Sequence, residues 1–147
     1  DINELVCRTV FAFEQKIEEK KLEIIGLESD EVFVNADNDL IHQVVYNLID
    51  NAVKFVNEGG YISFSYVQKD GKVFVSVKNT GDGIAQQELP RLFDRFYKTD
   101  KSRSLDKTGV GLGLYISKTI IEAHEEEIFV KSEHGKNCTF CFTIKGQ

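Results

Sequence analysis

Apolar residues recur along this chain in two different periods, and the switches between them mark out its elements. Over residues 3–20 the positions Leu5, Val6, Thr9, Val10, Phe13 and Ile17 follow helical spacing. This predicts one helix capped by Asn3, with the polar end KIEEKK as a solvated face. LEIIGL and EVFVNA, at 22–27 and 31–36, read as two short strands around an acidic turn at Glu28 to Glu31. The clearest helical pattern follows, with Leu40, Ile41, Val44, Val45, Leu48, Ile49, Ala52 and Val53 giving an apolar pair every four residues. It predicts a helix over 40–56, buried along one broad face, with Asp37 as its N-cap and Asp39 favourable in its first turn.

Gly59-Gly60 ends that helix, and the period drops to two. YISFSYVQK, a turn at Asp70-Gly71 and KVFVSVKN form a hairpin over 61–79. Neither period holds from Ala85 to Lys107, a polar and aromatic stretch that contains Pro90 and KTDKSR. At about 23 residues it is long for a connection inside a compact domain, and it reads as a lid. Helical spacing returns in GLGLYISKTIIEA at 111–123, followed by strands EIFVKS at 127–132 and CTFCFTI at 138–144.

With 147 residues, 41% of them hydrophobic, the chain has the size and apolar content of a single α/β domain covering 1–147. No internal repeat or linker interrupts it. The first residue is Asp and there is no Met, as expected of a segment of a longer protein. No apolar run reaches the roughly 20 residues that span a bilayer.

Charge narrows the partners. Asp and Glu outnumber Lys and Arg 24 to 18, a net charge of −6, so the overall field disfavours nucleic acid and anionic membrane surfaces. A bound polyphosphate must therefore be held by local features. Three cysteines cannot make a disulfide framework and fit a reducing compartment. Cys138 and Cys141 share a C-x-x-C spacing, but on a strand an offset of three puts them on opposite faces, as ordinary buried thiols. His42, His124 and His134 are scattered, without metal-ligand spacing.

Three runs carry candidate chemistry. On the helix at 40–56, Asn47, Asn51 and Lys54 fall at i, i+4 and i+7, within about 60° of arc beside the apolar face. Amide oxygens can coordinate a hard cation and the ammonium can neutralise phosphate, although a polar helix edge would look the same. In NTGDGI, Gly81 and Gly83 permit a close backbone approach, and Asn79 ends a strand with its side chain available to a ligand. In TGVGLGL, glycines at 109, 111 and 113 open a helix whose unpaired N–H groups suit phosphate. The last run lacks the G-K-[ST] ending of a P-loop and does not follow a strand as a Rossmann fingerprint would.

In this order, the set resembles the ATP-binding catalytic domain of bacterial sensor histidine kinases, in the superfamily shared with gyrase, Hsp90 and MutL. YNLIDNAVKF is similar to the family's asparagine box, NTGDGI to its first glycine box, LFDRFYKTDKSR to its phenylalanine box and TGVGLGLYISK to its second glycine box. The resemblance covers essentially the whole chain. It implies a two-layer α/β (α+β) sandwich of the Bergerat ATP-binding type, a mixed sheet with helices on one face and an ATP lid. It also implies ATP and Mg2+ as cofactors, with Asn51 on the metal, Asn47 beside metal and phosphates, Lys54 at the phosphates and Phe55 walling the base pocket. Asn79, Gly81, Gly83 and Ile84 would line the nucleotide. Tyr97 would lie against it, Lys98 and Arg103 would reach the phosphates, and Thr108, Gly109, Val110, Gly111, Leu112, Gly113 and Leu114 would wrap them. Asn47, Lys54, Lys98 and Arg103 are the residues it assigns to catalysis.

The resemblance implies transfer of the γ-phosphoryl group to a histidine on a separate dimerisation domain, since none of the three histidines here sits in an H-E-[LI]-[KR]-T-P pattern. A response regulator would act downstream, and the chain would be a cytoplasmic domain of a membrane-anchored sensor, itself touching neither membrane nor nucleic acid. Asn47 stands where gyrase and Hsp90 relatives carry a Glu that activates water, so the pattern favours transfer over hydrolysis. Three positions depart from the family: Asn79 replaces Asp, Glu125-Glu126 replace a glycine pair, and Asn137 replaces a glycine. Two other readings stay open, an inactive nucleotide-binding regulatory module and an anti-sigma-type serine kinase.

Overall fold

The computed structural model describes residues 1–98 and 112–147. Its centre is a five-stranded sheet of β1 (Glu23–Ile25), β2 (Tyr61–Lys69), β3 (Lys72–Thr80), β4 (Ile128–Glu133) and β5 (Asn137–Lys145), in the order β1-β2-β3-β5-β4. β1 runs parallel to β2 and the other pairs are antiparallel, so the sheet is mixed. The turn between β2 and β3 works because Asp70 and Gly71 both take positive φ, 54° and 76°, which matches the twist of the flanking strands.

The period of two places Ile62 and Phe64, then Val73, Val75 and Val77, then Phe140, Phe142 and Ile144 on one face, all buried. Against it lie α1 (Ile2–Ala12), α3 (Asn38–Phe55) and α4 (Gly113–Ala123), with the short α2 (Glu14–Lys20) beside them. α3 buries Ile41, Val44, Val45, Leu48, Ile49, Ala52 and Val53, the stripe its spacing predicts except for Leu40, which lies in the first turn and is exposed. Each large aliphatic side chain so buried stabilises by about 1.5–3 kcal/mol relative to exposure. Cys138 pairs with Asn79 and Cys141 with Ser76, so the two thiols do occupy opposite faces.

Both ends of α3 are held from outside the helix. Asp37 Oδ1 accepts from Leu40 N at 3.0 Å, as its cap position predicts. At the other end Lys20 Nζ donates to the carbonyls of Val53, Lys54 and Val56 at 2.7, 3.0 and 3.3 Å, placing an ammonium on the negative end of the helix dipole.

Four features differ from the sequence expectation. The helix over 3–20 is two helices, broken at Phe13, whose N–H turns back to Val10 O at 2.9 Å while its ring enters the core and meets Tyr46 at 5.2 Å. The cap is Asp1, not Asn3. Asp1 Oδ1 accepts from Asn3 N, Glu4 N and Val32 N at 2.9, 3.3 and 3.1 Å, while the Asn3 amide is drawn inward to Ser29 O and Leu27 O at 3.2 and 3.4 Å. EVFVNA forms no strand. It meets the end of β5, through the Val34 bridge to Gly146 and Asn35 N to Lys145 O at 2.8 Å, and the start of α1, where Val32 O accepts from Ile2 N at 2.8 Å. Within the segment read as an irregular lid, Gln86–Arg91 forms a 3-10 helix, too short and too tightly wound to leave an apolar repeat. Leu92 and Phe93 then anchor that segment, with Phe93 edge-on to Phe140 at 6.1 Å.

Candidate nucleotide-binding site

Asn47, Asn51, Lys54 and Phe55 are half-buried along the edge of α3, but the two amides are in different states. Asn47 Nδ2 donates to Gly113 O at 3.2 Å and to Ser117 Oγ at 3.3 Å, and its Oδ1 accepts from Gln43 Nε2 at 3.1 Å. It bridges α3 to the first turn of α4. One turn on, the Asn51 amide makes no hydrogen bond among the described residues. Lys54 Nζ lies 3.0 Å from Asp50 Oδ2, an i, i+4 pair that holds the ammonium at the helix edge.

The first glycine loop is seated on two neighbours. Gly81, at φ 142°, passes so close to the end of α3 that a Cβ there would lie 2.8 Å from Phe55 O. Gly83, at φ 68°, leaves the same kind of gap against the β4–β5 hairpin, where a Cβ would lie 2.7 Å from Glu133 O. Ile84 N donates to Ser132 Oγ at 2.6 Å, and Gly135 N to Asp82 O at 2.6 Å. Asn79, only 4% exposed, donates from Nδ2 to Thr80 O at 3.0 Å. A carbonyl can only accept, so this bond fixes the amide nitrogen and leaves Oδ1 as an acceptor. Beside it on the sheet, burial pushes the Cys138 thiol up to about 12, so that wall is uncharged at neutral pH.

α4 begins at Gly113 with Leu112 before it, and no side chain caps the helix. A Cβ on Gly113 would lie 3.8 Å from Asn47 Cγ. Leu114 packs against the core. Tyr97 also packs on the core, with its hydroxyl donating to Glu88 Oε1 at 3.1 Å and the Arg91 guanidinium 4.7 Å from its ring centroid. Lys98 is half-buried next to it. Arg103, Thr108, Gly109, Val110 and Gly111 lie outside the described residues.

The fold thus brings together the α3 edge, the first glycine loop and the start of α4, through Asn47–Gly113 at one end and Phe55–Gly81 at the other. Sequence reasoning missed the residues that hold these groups, Gln43, Asp50, Glu88 and Ser117. Ser117 alone left a signal, a polar residue one turn after Gly113 on a helix that is otherwise apolar inward. Of the departures, Asn137 sits in regular strand pairing opposite Thr80 and Glu133. Glu125 takes a left-handed φ of 60° where a glycine would be unstrained.

A mixed sheet with one layer of helices, whose central helix edge meets a glycine turn and the glycine that opens a second helix, is the architecture of a known class of ATPase domains. The chain belongs to that family, described as histidine kinase-, DNA gyrase B- and HSP90-like ATPase, whose model matches residues 36–147. It is 38% identical over 134 residues to the sensor histidine kinase WalK of Bacillus subtilis (strain 168), covering 90% of this chain and 22% of that protein. It is 46% identical over 108 residues to the sensor protein SrrB of Staphylococcus aureus, covering 74% of this chain and 18% of that protein. The chain therefore spans about a fifth of the length of these relatives. Among solved structures, the nucleotide-free catalytic domain of histidine kinase ThkA superposes with a TM-score of 0.85 at 30% identity, covering 99% of this chain and 95% of that one. Full-length ShkA in complex with AMPPNP superposes at 0.83 and 28% identity, covering 100% of this chain and 31% of that one.

Proposed function

We propose that this domain binds Mg-ATP and transfers the γ-phosphoryl group to a histidine on the dimerisation domain of the same kinase, from which a response regulator takes it. The observation that carries the reading is the convergence of the α3 edge with the first glycine turn and the start of α4, made by Asn47 on Gly113 and Gly81 on Phe55. The relatives support it. ThkA is also solved in complex with the response regulator protein TrrA, and ShkA with AMPPNP.

The residues present fit a magnesium ion carried in by the nucleotide. Among the described residues no group of three or more His, Cys, Asp or Glu gathers to make a protein cage. Asn51 instead offers one amide oxygen, and magnesium typically takes one or two protein ligands with phosphates and water completing its shell. When bound, magnesium neutralises phosphate charge. Lys54, beside Asp50, adds a cation at the same edge, with Lys98 and Arg103 as the lid cations. Asn79 Oδ1 accepts from the exocyclic amine of adenine. In the transfer, the bond from the γ-phosphorus to its bridging oxygen breaks, ADP keeps the electron pair, and a phosphorus–nitrogen bond forms to the acceptor imidazole. Asn47 has no basicity with which to activate water, so hydrolysis does not compete. The domain belongs on the cytoplasmic side of a membrane-anchored sensor; no described helix is long and apolar enough to cross a membrane.

Labelled ATP tests this. Alone, the domain neither labels itself nor hydrolyses appreciably. With the dimerisation domain added, label appears that is stable to base and lost in acid. Serine phosphate would place the chain with anti-sigma-type kinases, and ATP binding without any transfer would make it a regulatory module. Asn51→Ala should weaken ATP binding in magnesium by about tenfold and leave the metal-free affinity nearly unchanged, read by calorimetry. Equal losses with and without magnesium would remove Asn51 from the metal.

A further inference from the structure

We propose that His124 is a positioning residue for the nucleotide site: as a neutral imidazole it clamps the end of α4 to the N-cap of α3, and a proton opens the clamp. The inference rests on the reading of α3 and α4 as nucleotide-binding only for its affinity consequence.

His124 follows the last residue of α4. Its Nδ1 lies 2.8 Å from Ile120 O, and its Nε2 lies 3.1 Å from Asp37 N. The two partners are backbone atoms that cannot exchange roles. A carbonyl oxygen needs a donor, so Nδ1 carries the proton. The Asp37 N–H needs an acceptor, so Nε2 carries a lone pair. Only one neutral tautomer satisfies both. An imidazolium would set N–H against N–H at Asp37, and that contact would part.

Asp37 is the cap of α3, its carboxylate already accepting from Leu40 N at 3.0 Å. At the opposite end of the helix pair, Asn47 bonds to Gly113 O and Ser117 Oγ at 3.2 and 3.3 Å. These two links, on antiparallel helices, fix how far α4 can slide along α3. Opening one leaves the register to the other, and the other is made by a candidate site residue. His124 therefore acts on the nucleotide through Asn47.

The ionisable groups near these two contacts along the chain are Asp37, Asp39 and His42 at the start of α3, Lys118 and Glu122 on α4, Glu125 and Glu126 in the turn after it, and Glu127 before β4. Glu126 is occupied, accepting from Thr143 Oγ1 at 2.8 Å and facing Lys72 Nζ at 3.0 Å. A proton on Nε2 removes the lone pair that accepts from Asp37 N, so an imidazolium is released from Asp37.

Nitrogen NMR of the imidazole in the whole domain tests the clamp directly. At about pH 8, above the ordinary imidazole range, His124 should be the Nδ1–H tautomer, and the Asp37 amide signal should move with the His124 titration. Calorimetry with Mg-ATP at about pH 8 and about pH 5.5 tests the consequence against His124→Gln, whose amide oxygen can accept from Asp37 without titrating. The acid loss of affinity should be about threefold larger in the unmodified protein than in the Gln variant, the worth of one modest hydrogen bond. The nucleotide's own phosphate titration is common to both proteins and cancels. His124→Ala should bind weakly at both pH values, with Gln restoring the alkaline affinity. An Nε2–H tautomer, an Asp37 amide blind to the titration, or identical pH dependence in the parent and the Gln variant would each overturn the proposal. Absence of Mg-ATP binding at either pH would overturn the functional reading instead, while the imidazole spectrum still decides the clamp.

Discussion

Asn79 and the aspartate of its family differ by one charge and one donor, and both differences bear on its surroundings here. The amide nitrogen donates to Thr80 O at 3.0 Å in a site only 4% exposed. Asn79→Asp replaces that donor with a second acceptor facing a carbonyl, so the domain should lose about 1–3 kcal/mol of stability. Under the proposed function the same carboxylate would be a stronger acceptor for the adenine amine, and the preference for ATP over GTP should sharpen by about fivefold, about 1 kcal/mol of charge-assisted bonding. Thermal unfolding and competition binding on one protein sample separate the two effects. Unchanged selectivity would mean that Asn79 does not face the base. The identity of this residue was legible in the sequence because it closes an alternating strand before a glycine turn. Its orientation was not, because that depends on a neighbouring carbonyl that every residue type possesses.

The end of α4 shows the same division for an element. Glu126 N donates to Ile121 O at 3.1 Å and Glu125 N to Glu122 O at 2.9 Å, the paired closing bonds of a Schellman turn, with Glu125 left-handed at φ 60° between them. A side chain in that conformation is strained, whereas glycine adopts it without steric cost. Glu125→Gly should therefore stabilise the domain by about 0.5–1 kcal/mol after the extra backbone entropy glycine loses on folding, measurable by denaturant titration. No gain would mean that the Glu125 side chain makes up the difference. Elements with a long period were legible, α3 above all, because seven apolar residues from Ile41 to Val53 leave one choice of buried face, and only Leu40 at its start falls outside it. EVFVNA was misread as a strand because its alternation is real but the edge it meets ends after one bridge. The break at Phe13 was hidden for a related reason: a helix can turn into the core without altering its apolar spacing. Nothing local announced that Lys20 caps α3 from 33 residues away.

At the scale of the whole molecule, the helix layer seals the inner face of the sheet and determines how the domain responds to alkali. Two titratable groups lie on that face. Burial pushes Cys138 from 9.0 up to about 12, and it also raises Tyr66, whose hydroxyl has no hydrogen-bond partner. Both are neutral in the folded domain at pH 7. An acid whose folded value is raised binds its proton longer folded than unfolded, so its stabilising contribution is complete below the unfolded value and is lost as pH rises towards the folded one. For Cys138 that window runs from 9.0 to about 12. By about pH 10.5 the unfolded thiol has ionised and the folded one has not, a loss of about 2 kcal/mol. Tyr66 adds to the decline higher in the range, and so does Lys72, raised by its bond to Glu126, as that ammonium deprotonates. Cys138→Ala should be somewhat less stable at neutral pH for its missing sulfur, yet lose about 2 kcal/mol less between pH 7 and about pH 10.5 in denaturant titrations. Parallel declines in the two proteins would show that alkali reaches the domain by another route, with the seal over the sheet already open.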